Sequence, residues 1–204
     1  LVQWYAGEQQ GRTLADILLG KVNPSGKLNV SFPRSTGNTP CFYNHFVTDR
    51  EEPFDQPGTP EEPKGHYIFD KPEPLWNFGH GKSYTTFDYV DCALSDTLLA
   101  ASDTLKVSVM IKNTGRCDGK EVVQLYVRDK VSTVATPIQQ LKAFQKVLVK
   151  SGESQCVELS LPIAELALYN AKMEEVVEPG DFEIQIGAAS DDIRFKKTIT
   201  INRK

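Results

Sequence analysis

The chain has 204 residues, with 23 Lys and Arg against 27 Asp and Glu, a formal net charge of −4 at pH 7 and 40% hydrophobic residues. A mildly acidic balance argues against nucleic acid as a partner, because a phosphate backbone is held by clustered basic side chains. No apolar run approaches the ~20 residues of a membrane span, so a membrane partner is not expected either.

The chain opens on Leu1-Val2-Gln3-Trp4-Tyr5 without a Met, and a processed or truncated N-terminus is expected. Residues 1–33 read as strand, helix, strand. Residues 1–5 form a short apolar run, and Gly7 permits a sharp exit from it. Glu8 is expected in the first helical turn, where a carboxylate favours the positive end of the helix dipole. Leu14, Ile17 and Leu18 recur at helical spacing as one apolar stripe, and Gly20 is a natural residue to end the helix. Asn23-Pro24-Ser25-Gly26 is turn chemistry. Leu28, Val30 and Phe32 then alternate with polar residues, which predicts a second strand closed by Pro33. One helix and two strands leave a sheet face and a sheet edge uncovered, so neighbours are expected upstream or on another chain.

Residues 34–73 differ in kind. Pro40, Pro53, Pro57, Pro60, Pro63 and Pro72, with the acidic pairs Glu51-Glu52 and Glu61-Glu62, read as an irregular connecting segment. Residues 74–87 pack aromatics, paired glycines and Ser83-Tyr84-Thr85-Thr86 into one junction. Trp76, Phe78, Tyr84 and Phe87 are expected to form a hydrophobic seam there. From Phe87 the period becomes two. Leu105, Val107, Val109 and Ile111 alternate with polar residues, residues 122–127 form a near-continuous apolar strand, and residues 141–149, 156–161, 182–186 and 193–201 supply more. Turn signals fall between them at Gly119, Ser151-Gly152-Glu153 and Pro179-Gly180-Asp181. About seven short strands predict a mainly β chain built on an immunoglobulin-like or fibronectin type III-like sandwich. One helical turn is expected within residues 162–169, with Ile163, Leu166 and Ala167 on one side.

The candidate sites are weak. Gly20 and Gly26 are separated by five residues where a phosphate loop needs four, and Leu28 stands where it needs Ser or Thr. Asn29-Val30-Ser31 is formally a glycosylation acceptor, but it lies inside the predicted second strand. His45, His66 and His80 have no second ligand at helical or hairpin spacing, and His80 between two glycines reads as a turn residue. Cys41, Cys92, Cys117 and Cys156 are spaced too sparsely for a disulfide framework, and Cys92 and Cys156 are expected as buried thiols on strands. Phe42, Tyr43, His45 and Phe46 could stack on sugars, but anchoring of the connector is the simpler role. Glycoside cleavage needs two carboxylates flanking the bond, and spacing identifies no such pair. Glu8, the tempting residue, is read as helix-end stabilisation. No catalytic, cofactor-binding or metal-binding residue is assigned to this chain, and no cofactor is expected.

Several ordered blocks nonetheless resemble one family. Trp4-Tyr5-Ala6-Gly7-Glu8 with residues 14–20, Asn23-Pro24-Ser25-Gly26-Lys27-Leu28 with Ser31-Phe32-Pro33, and Phe78-Gly79-His80-Gly81-Lys82-Ser83-Tyr84-Thr85 are similar to blocks near the C-terminus of family 3 glycoside hydrolases. Gln139, Leu141, Lys142 and Phe144, and Glu178-Pro179-Gly180-Asp181-Phe182 with Gly187, resemble blocks of that family's fibronectin-like domain. Lys82 departs from the family's usual Leu, and Trp76-Asn77 from its Tyr-Pro. The resemblance implies the end of an α/β sandwich domain at 1–34, a connecting segment at 35–87 and a fibronectin type III-like domain at 88–204. It implies a retaining β-glycosidase, with both catalytic carboxylates upstream of this chain. The implied partners are the N-terminal domains of the same polypeptide and a β-linked oligosaccharide or glycoside substrate, with the periplasm or the outside as the implied location. Two rival readings stay open. One is a carbohydrate-binding or adhesive module, which needs an exposed aromatic row drawn from Tyr126, Phe144, Tyr169, Phe182 and Phe195. The other is a structural protein that completes its first half as a homodimer.

Overall fold

The computed structural model describes residues 1–46, 59–61 and 73–202. His66, Glu51-Glu52, Glu62, Pro53, Pro57, Pro63 and Pro72 lie outside the described residues.

The second half is the sandwich that the alternation predicts. Its strands are β1 (Phe87–Leu94), β2 (Leu98–Leu99), β3 (Thr104–Asn113), β4 (Gly119–Asp129), β5 (Gln140–Val149), β6 (Ser154–Pro162), β7 (Leu168–Tyr169), β8 (Glu175–Val176), β9 (Gly180–Ala189) and β10 (Asp192–Ile201). Seven of these have eight residues or more, and β2, β7 and β8 are two-residue strands. One sheet of the sandwich has the order β1-β3-β6 and the other β2-β10-β9-β4-β5, while β7 and β8 pair as a small two-stranded sheet. All the long pairings are antiparallel, and β2 alone runs parallel to its neighbour β10.

The core lies between the sheets. Leu105, Val107, Val109 and Ile111 of β3 face Leu125, Ile184, Ile186 and Ile199 across the gap, in one cluster of buried side chains. Period-two alternation puts these residues on one face and their polar neighbours in solvent. β4 breaks the pattern, because residues 123–127 are buried on both faces. Val123, Leu125 and Val127 fill the core, whereas Gln124 and Tyr126 point to the outer face, which the connector covers. A short 3-10 helix, Ile163–Leu166, plugs one end of the core with Ile163 and Leu166. Cys92 is buried, as expected. Cys156 is exposed, because the alternation of β6 gives the inward positions to Val157, Leu159 and Leu161.

The first half departs from expectation in its strands. Helix α1 is present at Gln10–Leu18. It ends in a Schellman turn: the Gly20 amide donates to the Ile17 carbonyl (2.9 Å) and the Lys21 amide to the Asp16 carbonyl (2.8 Å), with Gly20 at φ +70°. Glu8 lies outside the helix, two residues before its first turn, so it is no helix-end anchor of the expected kind. Residues 1–5 form no strand. Residues 28–32 form one only in outline: the Leu28 amide donates to the His80 carbonyl (2.8 Å), the Gly79 amide to Leu28 (2.7 Å), and Phe32 makes a single bridge with Trp76. A strand exists only where a neighbour exchanges hydrogen bonds with it, and the described residues provide just the connector for that purpose.

Candidate functional site

The chemistry of the described residues concentrates where the first half meets the sandwich. Asn23, in the turn after α1, works with both ends of its side chain. Its Nδ2 donates to the Asp118 carbonyl (2.9 Å), and its Oδ1 accepts from the Ser83 hydroxyl (2.9 Å) and the Tyr84 amide (2.8 Å). The Tyr84 hydroxyl reaches back to the Ile17 carbonyl in the last turn of α1 (2.7 Å). One asparagine and one tyrosine therefore tie helix, junction and the β3–β4 turn together.

Beneath them sits Asn113, fully buried at the end of β3. Its Oδ1 accepts from the Thr85 hydroxyl and the Gly115 amide, and its Nδ2 donates to the carbonyls of Cys117 and Val149 (2.9 Å each). Every hydrogen-bonding position of a buried amide is used, which is the condition for burying one without penalty.

Beside this cluster Lys27 Nζ lies 3.1 Å from Glu121 Oε1, and both side chains are nearly enclosed, at 14% and 7% exposure. The same oxygen accepts from the Tyr89 hydroxyl (3.2 Å). Burial, and then the Glu121 charge, push the Tyr89 phenol far above its ordinary range. His80 is a turn residue, as its flanking glycines predict, with its amide on the Asn77 carbonyl. Its pKa is lowered by burial, with Lys82 and Lys27 adding to the effect.

The connector docks on the outer face of β4 through aromatic contact. Tyr43 stacks on Phe78 with ring centroids 4.1 Å apart and meets Tyr126 edge-on at 5.9 Å. Tyr126 donates to Gln124 Oε1 (2.6 Å), and Gln124 Nε2 donates to the Ala188 carbonyl (2.6 Å). Gly79 is obligatory here: at φ +82°, a Cβ would stand 2.3 Å from Gln124 Oε1.

Family models match both halves of the chain. Residues 1–84 match the glycosyl hydrolase family 3 C-terminal domain, and residues 121–190 match the fibronectin type III-like domain. The chain belongs to glycoside hydrolase family 3. A β-xylosidase of Formosa agariphila is 40% identical over 100% of this chain and 27% of its own length. A periplasmic β-glucosidase of Salmonella typhimurium is 38% identical over 95% of this chain and 25% of its own. Among solved structures, a β-glucosidase from Listeria innocua in complex with glucose superposes with a TM-score of 0.86 at 36% identity, covering 98% of this chain and 27% of that one. The chain thus spans about a quarter of the length of the curated relatives it matches.

The family blocks recognised in the sequence turn out to be the residues of the joint. Asn23 and Lys27 come from one block, and Phe78, Gly79, Ser83, Tyr84 and Thr85 from another. Lys82, the departure from family habit, is exposed. The expected seam divides. Phe78 packs on Tyr43 and Phe87 on the sandwich core, whereas Trp76 joins Phe32 (5.7 Å) and Tyr84 acts through its hydroxyl. The cluster at 42–46 divides likewise: Tyr43 anchors, and Phe42, His45 and Phe46 are exposed. Asn29 sits at an exposed bend rather than in a strand, so the strand argument against glycosylation does not apply there. Next to it, the Ser31 hydroxyl accepts the Phe78 amide (3.2 Å).

Other features are plain. Glu8 is exposed and all four cysteines are free. Among the described residues no group of three or more His, Cys, Asp or Glu is placed to hold a metal ion, and no helix is long and apolar enough to cross a membrane. Of the aromatics that a sugar-binding face needs, Tyr126 and Phe182 are buried, and the exposed Phe144 and Tyr169 stand on different strands. A cleft of about 620 Å³ runs between the connector and the sandwich, lined in part by Phe42, Tyr43, Asn77, Gln139 and Asp191. Asn77 holds Asp191 at 2.7 Å.

Sequence reasoning missed Lys27, Glu121, Tyr89 and Asn113. The partners of Lys27 and Asn23 lie 94 and 95 positions away, beyond any local pattern. A glutamate immediately before the apolar run of β4 was the available signal.

The first half keeps its apolar residues outward. Trp4 is 58% exposed, Leu18 66% and Leu19 70%, with Leu1, Val22 and Val30 also open to solvent. Exposed apolar surface of this extent marks a place of contact.

Proposed function

We propose that this chain is the non-catalytic C-terminal portion of a β-glycosidase, a β-glucosidase by preference, that releases terminal sugars from β-linked oligosaccharides or glycosides. In this reading both catalytic carboxylates belong to the rest of the polypeptide, which attacks through a covalent glycosyl-enzyme intermediate. Residues 1–34 complete an α/β domain, residues 35–87 connect, and residues 88–204 form the supporting sandwich. The observation that carries the reading is the orientation of the first half: polar side chains fasten it to the sandwich, while Trp4, Leu18 and Leu19 face away. That surface receives the rest of the α/β domain, and the sandwich holds it in position.

The share of each relative that the chain covers, and the β-xylosidase and β-glucosidase names of those relatives, support the same reading. The test is an assay of the purified chain on aryl β-glucoside and aryl β-xyloside, beside a chimera that joins it to the preceding three-quarters of a relative. The chain alone is expected to be inactive and the chimera active. Turnover by the chain alone above background overturns the assignment.

A further inference from the structure

Among the described residues, Glu121 is the only charged residue that is buried. It stands at the start of β4, opposite Val147 of β5, in a strand whose other inward positions are Val123, Leu125 and Val127. Its carboxylate has two donors, Lys27 Nζ from the first half and the Tyr89 hydroxyl from β1. A buried charge pair adds little net stability compared with apolar residues of the same volume, yet a buried charge without its partner is strongly unfavourable. Such a pair therefore discriminates between arrangements more than it strengthens one.

The segment it holds needs that discrimination. Residues 28–32 meet residues 75–80 through a few backbone bonds and one bridge, a pairing short enough to slip. Its apolar side chains hold the seating weakly, because Val30 faces solvent and Leu28 and Phe32 are only half-buried. Close backbone approach brings the lysine in: a Cβ on Gly81 would lie 2.4 Å from the Gly26 carbonyl oxygen, immediately before Lys27.

We propose that Lys27 and Glu121, with the Tyr89 hydroxyl as third member, form a register lock that selects one seating of residues 23–28 on the sandwich. A slip by one residue carries the ammonium out of reach and leaves Glu121 enclosed without its cation. The lock works within this chain, so its test needs no sugar substrate and is separable from the glycosidase reading.

Amide hydrogen exchange and NMR on the full 204-residue chain read it out. In K27M and in E121Q, the amides of Leu28 and Gly79 are expected to exchange at least about tenfold faster than in the parent, while those of Leu105, Val107 and Val109 stay within about twofold. The double variant K27M/E121L is expected to recover the parent's unfolding midpoint, but to keep fast exchange and show more than one resonance at Leu28 and Gly79. The swapped pair K27E/E121K is expected to restore protection. Unchanged exchange in both single variants overturns the proposal, as does full protection in the uncharged double variant. Should both single variants fail to fold, the swap decides: a protected Leu28 in the swapped chain supports the lock, and an unfolded or unprotected one overturns it.

Discussion

Strand β3 and helix α1 carry equally regular apolar patterns and bury them to opposite extents. Leu105, Val107, Val109 and Ile111 are all 0% exposed, whereas α1 has no buried residue despite its stripe of Leu14, Ile17 and Leu18. The sandwich closes on itself, with two sheets that supply each other's apolar cover. The first half does the reverse. It turns Asn23 and Lys27 toward the sandwich and leaves Trp4, Leu18 and Leu19 outside. Amphipathic patterning states that a face seeks cover, and only the rest of the chain decides whether that cover is intramolecular.

The sharpest way to break this contrast is to damage the self-sufficient part. Leu125→Ala opens a cavity in a fully buried cluster and is expected to lower unfolding stability by about 4 kcal/mol, measured by urea denaturation. Next comes the joint. Asn113→Ala strands the carbonyls of Cys117 and Val149 and the hydroxyl of Thr85, at an expected cost of about 3 kcal/mol in the same measurement. An effect below about 1 kcal/mol would show that water replaces the amide at this site.

The outward surface responds differently. Leu18→Lys is expected to change the stability of this chain by less than about 0.5 kcal/mol, because the side chain is 66% exposed and a cation suits a helix C-terminus. In the active chimera the same substitution is expected to reduce thermal stability and glycosidase turnover. Equal behaviour in both proteins would erase the distinction between the two halves.

The smallest effect is at Glu178, whose carboxylate accepts from the hydroxyl and amide of Thr133 and from Ser132. These donors hold its pKa below the ordinary 4.5. A depressed carboxylate stabilises the fold above its ordinary pKa, and that contribution is lost as pH falls through the lowered value. The Thr133 amide resonance is expected to titrate with a midpoint under 4.5, and Glu178→Gln to abolish the titration.

How much of this is legible in the sequence follows the range of the interactions. The β3 alternation, Gly20 as the end of α1 and the turn around Ile163 all depend on neighbours within a few positions, and each is found where local pattern puts it. Residues 1–5 read as a strand because their composition suits one, but a strand is defined by its partner. Cys156 reads as buried for a similar reason: the run is strand-like, and only the position of Val157 in the core shows which face the thiol takes. The joint is invisible because it links residues about 94 positions apart through single polar side chains. Resemblance supplied the blocks that contain Asn23 and Lys27, but not what those side chains touch.

The link from Asn23 to the carbonyl of Asp118 spans 95 positions of chain. On a ribosome, the turn after α1 emerges long before the residue that will hold it. Closing so large a loop is slow compared with forming the β4–β5 hairpin that follows Asp118, whose strands are consecutive in the chain. The opening segment is therefore expected to be the last part of this chain to settle. Until the start of β4 is translated and paired, Asn23 and Lys27 wait without Asp118 and Glu121, the groups that seat them.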